Sequence, residues 1–125
     1  MAINIPSANV SPRNDNGILK FYEGDTFNFN LALELRDQDD TDIILDGGKD
    51  SVEIVFYDYK NQLVKQFGFG KGHSNLIGEG NILELVFDDE TTKLFSEGKY
   101  TYDGFVEIEG IGRRTVINRA PVLVE

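Results

Sequence analysis

The sequence contains no cysteine and no tryptophan, and it has only one histidine, one methionine and three prolines. The lack of cysteine excludes disulfides, thiolate zinc sites, and thiol-based catalysis or redox chemistry. The sequence also lacks a run of about 18 apolar residues, the length that spans a bilayer. Residues 1–11 have neither the basic nor the apolar region of a signal peptide. These absences predict a soluble protein that is made in the cytoplasm and is held together by burial and hydrogen bonding.

Positive charge is scarce as well. The chain carries 12 lysine and arginine residues against 22 aspartate and glutamate residues, which gives a formal net charge of -10. This charge repels nucleic-acid phosphates and anionic lipids, so we expect neither nucleic acid nor a membrane as the main partner. The single histidine, His73, lies in a glycine-rich segment, and the sequence has no hydrolase, phosphate-loop or zinc-helix motif. We therefore predict no catalytic residues, no cofactor and no enzyme activity.

The length and the apolar content suit one folded domain. The chain has 125 residues, of which 40% are apolar, enough for a single core. We expect an extended N-terminal arm over residues 1–17 and one domain over residues 18–125. The arm has a short apolar alternation at Ile3 and Ile5. Such arms are either flexible ends or strands that are added to a neighbouring molecule.

The pattern from residue 18 onward is typical of short β-strands. Residues 26–36 alternate strictly between apolar and polar, which predicts a strand with one buried face. Residues 51–59 are apolar on both faces, which predicts a central strand, in a hairpin with residues 63–67. Further strands are predicted at residues 18–22, 82–87, 99–109 and 113–124, with a bulge at Gly104 and Pro121 at an edge or bulge. Residues 68–80 are predicted as a loop or weak edge strand. Asp88 should cap one helical turn, which Gly98 ends.

About seven antiparallel strands with frequent turn signals and no long helix predict an all-β fold, an immunoglobulin-like β-sandwich. A small barrel is the alternative. The segment from Leu94 through Gly98 to Tyr100 sharpens the prediction, because such sandwiches place a corner tyrosine at the start of the penultimate strand. Tyr100 is the predicted corner residue. Tyr102 then occupies the position of the second cysteine of antibody domains.

Two charged clusters are candidate sites. Carboxylates are concentrated in one segment, and hard oxygen ligands suit Ca²⁺, so this segment is a weak calcium candidate; the alternative is a solvated acidic turn. The last predicted strand is locally basic, and it either docks on an acidic patch of an identical neighbour or discourages uncontrolled strand pairing. The calcium candidates are Asp37, Asp39, Asp40, Asp42 and Asp46, and the possible assembly contacts are Arg113, Arg114 and Arg119 together with Ile3 and Ile5 of the arm.

Three long segments carry a family resemblance. They read FYEGDTFNFNLALELRDQDDTDIIL, DSVEIVFYDYKNQLVKQF and LELVFDDETTKLFSEGKYTYDGFVEI. In this order they resemble the N-terminal immunoglobulin-like domain of phage baseplate upper proteins and related virion domains, over residues 18–124. The shared features are Gly24-Asp25 before a long strand, the acidic turn, the hairpin and the tyrosine corner. They are core and turn positions, so no binding residue is carried over.

The resemblance implies a function without catalysis. Such domains are structural parts of phage tails, baseplates or fibres, so we expect a virion protein of a phage or prophage that acts in assembly or host attachment. Its position in the virion, which includes head fibres and capsid decoration, stays open. Expected partners are other virion proteins, further copies of the chain as a homo-oligomer, and a possible host-surface glycan. The alternative function is a carbohydrate-binding or adhesin module of a larger cell-surface protein.

Overall fold

The protein is an all-β sandwich, described here from a computed structural model that covers residues 3–4, 9–11, 19–37 and 39–125. Within these residues the chain forms ten strands and one single-turn helix, α1 (Asp89–Thr92). The strands are β1 (Ile3–Asn4), β2 (Asn9–Ser11), β3 (Leu19–Phe21), β4 (Phe27–Ala32), β5 (Arg36–Asp37), β6 (Ser51–Tyr57), β7 (Leu63–Gly70), β8 (Ile82–Phe87), β9 (Gly98–Ile108) and β10 (Gly112–Val124).

The strands form two facing sheets and one short pair. The larger sheet has the order β3-β10-β9-β6-β7, the smaller one has the order β2-β4-β8, and β1 pairs with β5. Strands β10, β9 and β6 face β4 and β8, as strands G, F and C face B and E in immunoglobulin domains. The predicted β-sandwich is therefore confirmed. The central position predicted for the strand at residues 51–59 is also confirmed, because β6 lies between β9 and β7.

One pairing differs from the prediction of an entirely antiparallel fold. Strand β3 runs parallel to the end of β10, with Leu19 opposite Val122 and Phe21 opposite Val124. The parallel pair forms because residues 22–26 carry the chain from the larger sheet to the smaller one and do not close a hairpin between β3 and β4. The count of about seven strands was also too low, because β1, β2 and β5 are too short to show a periodic pattern.

The core lies between the sheets and is rich in aromatic rings. Phe56 of β6 stacks on Tyr102 of β9 with ring centroids 5.2 Å apart, and it meets Phe87 of β8 edge-on at 5.6 Å. Phe29 of β4 contacts Tyr102 from the opposite sheet at 5.9 Å. Because side chains alternate along a strand, each of these residues fixes the register of its strand. Each buried side chain of this size contributes about 1.5–3 kcal/mol as an upper estimate.

The predicted bulge lies on the neighbouring strand. The register between β9 and β10 shifts between Thr115 and Ile117 and again between Ile117 and Ala120, so the extra residues are on β10. Gly104 of β9 lies opposite Ile117. A Cβ atom added at Gly104 would lie 3.0 Å from Cδ1 of Ile117 and 3.1 Å from Cδ1 of Ile54. The glycine therefore provides room for core isoleucines and does not form the bulge. Pro121 follows the second shift.

The connection from β8 to β9 combines a confirmed cap with a corrected boundary. Asp88 is the N-cap of α1, and its carboxylate accepts a hydrogen bond of 2.9 Å from the backbone N–H of Thr91. This hydrogen bond lowers the pKa of Asp88 below its ordinary value. Gly98 does not end the helical turn, because α1 is complete at Thr92 and Gly98 is the first residue of β9.

The tyrosine corner is formed by Tyr100. Its hydroxyl accepts a hydrogen bond of 3.0 Å from the Ser96 N–H and donates one of 2.9 Å to the Ser96 carbonyl. Leu94, which begins the segment that predicted the corner, is 49% exposed. Phe95 is buried instead, and its ring centroid lies 5.0 Å from that of Tyr100. The helical turn shifts the inward position by one residue, which the sequence pattern does not show.

The glycine-rich segment is more ordered than the sequence predicts. Residues 68–70 belong to β7, and Phe69 is buried in the core. The N–H of Gly70 donates to the carbonyl of Asn75, and Asn75 Nδ2 donates to the carbonyl of Gly68, both at 2.9 Å. The loop therefore folds back along the end of β7, which is the edge strand of the larger sheet.

Candidate functional site

The first candidate site is the outer edge of β8. On its inner side β8 pairs with β4, and no strand within the described ranges pairs with its other side. There the N–H and C=O of Ile82 pair with Gly78. Backbone groups alternate in direction along a strand, so those of Glu84 and Val86 point to the same free side. Residues 84–87 thus present a short, regular and unoccupied edge.

The side chains of β8 along this edge are apolar and acidic, and one lysine of β7, Lys65, lies beside them. Ile82 and Val86 are 44% and 46% exposed on the outer face of the smaller sheet. Glu84 lies between them, and Asp88 follows the strand. Between β8 and β7 lies a depression of about 200 Å³. Its lining residues are Lys65, Gln66, Phe67, Gly68, Asn75, Glu84, Val86, Asp88 and Thr91. An extended segment laid along β8 would therefore meet carboxylates next to two apolar side chains.

The second candidate site is the outer edge of β10. Its residues 112–121 pair with β9 alone in the part of the chain that the structure describes, because pairing with β3 begins at Val122. This edge carries Arg113 and Arg114. The guanidinium of Arg113 lies 4.2 Å from the ring centroid of Phe105, and Arg114 Nη1 donates to the carbonyl of Arg113 at 2.9 Å. The edge is therefore basic, and two register shifts interrupt it after Thr115.

Arg119 lies at the second shift and extends across the outer face of the larger sheet. Its φ of 55° is in the left-handed region, and its N–H donates to Asp103 Oδ1 at 2.7 Å. The guanidinium lies 5.9 Å from the ring centroid of Tyr57, and Nη1 is hydrogen-bonded to Oδ1 of Asn61. Exposed guanidinium, amide and phenol groups from three parts of the chain thus meet on one surface. These contacts place Arg119 apart from Arg113 and Arg114.

The predicted calcium residues act first as turn acceptors. Oδ1 of Asp37 accepts hydrogen bonds from the N–H groups of Asp39 and Thr41 at 2.9 and 3.0 Å. Oδ1 of Asp46 accepts from the N–H of Gly48 at 2.8 Å. Aspartate often stabilises turns in this way. Both carboxylates therefore hold the backbone of the loop to which they belong.

Of the three remaining predicted calcium residues, Asp39 is exposed, and the other two pair with an arginine. Oδ1 of Asp40 lies 3.4 Å from Arg36 Nη1, and Oδ1 of Asp42 lies 3.6 Å from Arg36 Nε. Among the described residues no three acidic or histidine side chains converge to hold a metal ion. These contacts hold the acidic segment as a turn, and calcium binding stays a prediction.

A buried aspartate that sequence reasoning did not single out ties two loops together. Asp50 is only 6% exposed. Its Oδ2 accepts from the N–H of Asp46 at 2.8 Å, and its Oδ1 accepts from the N–H of Glu109 at 3.0 Å. In the sequence Asp50 is one of several neighbouring aspartates, and no feature of the sequence indicates that it is the buried one.

Asn81 is the second buried polar residue that the sequence did not reveal. It precedes β8, is 3% exposed and has a φ of 59°. Its Oδ1 accepts from the N–H of Leu45 at 2.8 Å, and its Nδ2 donates to the carbonyls of Ile43 and Leu33 at 2.8 and 3.3 Å. One side chain thus holds the loop between β4 and β6 against the start of β8. The only sequence signal is an asparagine after a glycine, which usually indicates a turn.

The N-terminal arm contributes two described strands, both paired within the chain. Ile3–Asn4 pairs with Arg36–Asp37, and Asn9–Ser11 pairs with residues 30–32 of β4. Ile5 lies outside the described residues. The predicted addition of the arm to a neighbouring molecule stays a prediction, as does an assembly role of Ile3.

Comparison with known proteins does not assign the chain to a family. No model of a known protein family matches the sequence, and no curated protein matches it. No helix within the described residues is long and apolar enough to cross a membrane. Function is therefore inferred from the strand edges and from the placement of the charged side chains.

Proposed function

We propose that the protein is a non-catalytic structural protein of a phage or prophage virion that joins its neighbours through strand edges. The observation that carries this proposal is the contrast between the two open edges. The edge of β8 over residues 84–87 is regular and has apolar side chains beside it, whereas residues 116–121 of the β10 edge contain two register shifts and Pro121. Natural β-proteins block edges that must stay unpaired, and a regular edge left open suits the addition of a partner strand.

The use of the buried polar groups supports a role without catalysis. Asp50 and Asn81 are the most deeply buried aspartate and asparagine in the described chain. The polar atoms of both side chains form hydrogen bonds with backbone groups. His73 is exposed, and its ring packs against Gly68. These side chains hold loops in place, which is what an assembly module requires of them.

The virion setting rests on the resemblance of residues 18–124 to immunoglobulin-like domains of phage baseplate upper proteins. That resemblance favours a baseplate, tail, head fibre or capsid decoration protein that acts in assembly or host attachment. Its partners would be other virion proteins and further copies of the chain. Its place of synthesis would be the host cytoplasm, where phage particles are assembled.

The test is incorporation into particles. Phage particles are induced from the strain that carries the gene and separated on a density gradient, and an antibody against the protein is used to follow it. We expect the protein to band with the particles and to stay with them in high salt. If it remains entirely in the particle-free fraction, the virion role is wrong. A known capsid protein of the same particles is the positive control.

A carbohydrate-binding or adhesin module is the second candidate, and the Arg119 cluster is the observation that favours it. Guanidinium, amide and phenol groups meet there, and these groups form hydrogen bonds and ring contacts with sugars. Glycan binding by the purified chain that Arg119→Ala abolishes, and that Arg113→Ala leaves unchanged, would support this alternative. Equal binding by both variants would contradict it.

A further inference from the structure

We propose that the free edge of β8 binds residues 112–115 of β10 from a second copy of the chain, so that copies associate head to tail. The proposal rests on the proposed assembly function and names the partner and the contact. Strand addition supplies backbone hydrogen bonds, and the flanking side chains select the partner. The partner strand must therefore carry side chains that suit an acidic edge.

The acceptor edge has its backbone groups available. Ile82 is already paired with Gly78, and the alternation places the N–H and C=O groups of Glu84 and Val86 on the same side. The strand has no bulge, proline or lysine at these positions. Residues 84–87 therefore offer room for a strand of about four residues.

Pairing of β8 with β8 of a second copy is disfavoured by charge. An antiparallel register centred on Glu84 places two copies of this residue opposite each other. A register centred on Val86 places Glu84 opposite Asp88, and one centred on Leu85 brings the two Glu84 side chains into diagonal positions. Like charges in opposite positions destabilise a strand pair, and diagonal neighbours also interact. The acidic edge therefore favours a partner strand that carries positive charge.

Residues 112–115 of β10 provide such a strand within the same chain. Their outer side is unpaired among the described residues, and the first register shift comes only after Thr115. Arg113 and Arg114 lie in this regular part. Side chains alternate along a strand, so in a paired strand one of these two arginines lies on the same face as Glu84. In a protein with a formal charge of -10, a positive side chain on an open edge is complementary to Glu84 and its acidic neighbours.

The placement of the two edges makes the contact head to tail. Glu84 and Val86 of β8 line the same depression as Lys65 and Phe67 of β7, so the β8 edge lies on the β7 side of the sandwich. The β10 edge lies on the opposite side, next to β3. Each copy therefore donates one edge and accepts another. Such heterologous contacts form closed rings or open filaments, depending on the rotation between neighbours.

The absence of cysteine allows a direct test by cross-linking of the full chain. Val86→Cys and Thr115→Cys are made separately, one with a mass tag, and are mixed with a short bismaleimide that tolerates small differences in register. We expect the mixture to give at least tenfold more mixed dimer than either variant gives of its own homodimer. Glu23→Cys, at an exposed turn next to the C-terminal residue, replaces Val86→Cys in the control and should give background levels. A homodimer of Val86→Cys as the main product, or no product above background, would overturn the proposal.

Charge exchange tests the selection of the partner. In the Thr115→Cys chain, replacement of Arg113 and Arg114 by glutamate should reduce mixed cross-linking at least tenfold. Glu84→Arg in the Val86→Cys chain should restore it, a result that loss of folding does not produce. If the exchanged pair stays at background while circular dichroism shows both variants folded, the pairing is wrong. Incorporation of the protein into particles without this cross-link would leave the virion role intact and reject only the head-to-tail contact.

Discussion

The open edges of β8 and β10 belong to one small sandwich and differ in nearly every feature that controls strand pairing. Residues 84–87 of β8 keep a regular ladder with β4 and have apolar side chains on the exposed face. The edge of β10 has arginines, two register shifts and Pro121 before it reaches β3. Bulges and proline, which lie beyond Thr115 on this edge, are usual means of blocking an edge. The difference indicates that the chain blocks most of one edge and leaves the other accessible.

The loops behind the two edges differ as well. The start of β8 is held by Asn81, whose amide makes three hydrogen bonds to the loop that follows β4. The shifts of β10 are instead accommodated by Gly104, where the isoleucine side chains need the space of a missing Cβ. A regular edge is thus supported by polar contacts, and an irregular one by packing. Each support can be removed separately.

The largest expected effect is at the β8 edge. Asn81→Ala leaves the buried N–H of Leu45 and the carbonyl of Ile43 without their partner, and each unsatisfied group costs about 1–3 kcal/mol. We expect the free energy of unfolding to fall by about 3 kcal/mol. Urea unfolding followed by circular dichroism measures it. Asn75→Ala, at an exposed loop asparagine, is the matched control and should change stability far less. Equal effects would mean that the Asn81 amide does not support the edge.

The next effect is at the β10 edge. Gly104→Ala places a methyl group about 3 Å from Ile117 and Ile54, closer than packed carbon atoms ordinarily lie. Overpacking of this kind costs about 1–3 kcal/mol, and we expect a value near 2 kcal/mol. Gly47→Ala is the control, because an added Cβ there meets nothing within 4 Å. A thermal unfolding midpoint unchanged by Gly104→Ala would show that the β10 shifts do not depend on this contact.

A smaller effect is expected at the tyrosine corner, which holds the start of β9 beside the end of β10. Tyr100→Phe keeps the ring against Phe95 and removes both hydrogen bonds to Ser96. The expected loss is about 1 kcal/mol, the typical net value of a hydrogen bond. Tyr22→Phe, at a tyrosine that is 61% exposed, is the control and should be neutral. A neutral Tyr100→Phe would contradict a stabilising role of the corner hydroxyl.

Strict alternation made the long strands predictable from sequence. The buried positions of β4 and β8 follow the period of two, and β6 is buried on both faces at Val55, as its apolar pattern predicted. The corner tyrosine was predictable because its position relative to Gly98 and the last strands is a local feature. The parallel pairing of β3 was not, because three residues show no direction of pairing and the turn at residues 22–26 connects different sheets.

From the sequence, the candidate sites could be predicted only as clusters of charged residues. The sequence shows acidic and basic clusters, but it does not show that Asp37 is used by turn N–H groups or that Arg36 pairs with Asp40. The free edge of β8 had no sequence signal at all, since an edge is defined by the strand that is missing beside it. Asn81 escaped notice because its contacts lie between 36 and 48 residues away in the chain.

The smallest expected effect concerns Asp88, the acidic residue that ends the β8 edge and caps α1. Its hydrogen bond from the Thr91 N–H lowers its pKa in the folded state. The resulting stabilisation is present above the unfolded pKa and is lost as the pH falls through the lower folded pKa. We therefore expect the thermal midpoint of the native chain to exceed that of Asp88→Ala at pH 7 and the difference to shrink in acid. Asp88→Asn caps a helix without titrating, so its advantage over alanine should persist in acid. A difference between the native chain and Asp88→Ala that does not change with pH would show that the carboxylate charge does not stabilise the cap, and the acidic end of the β8 edge would then act on partners alone.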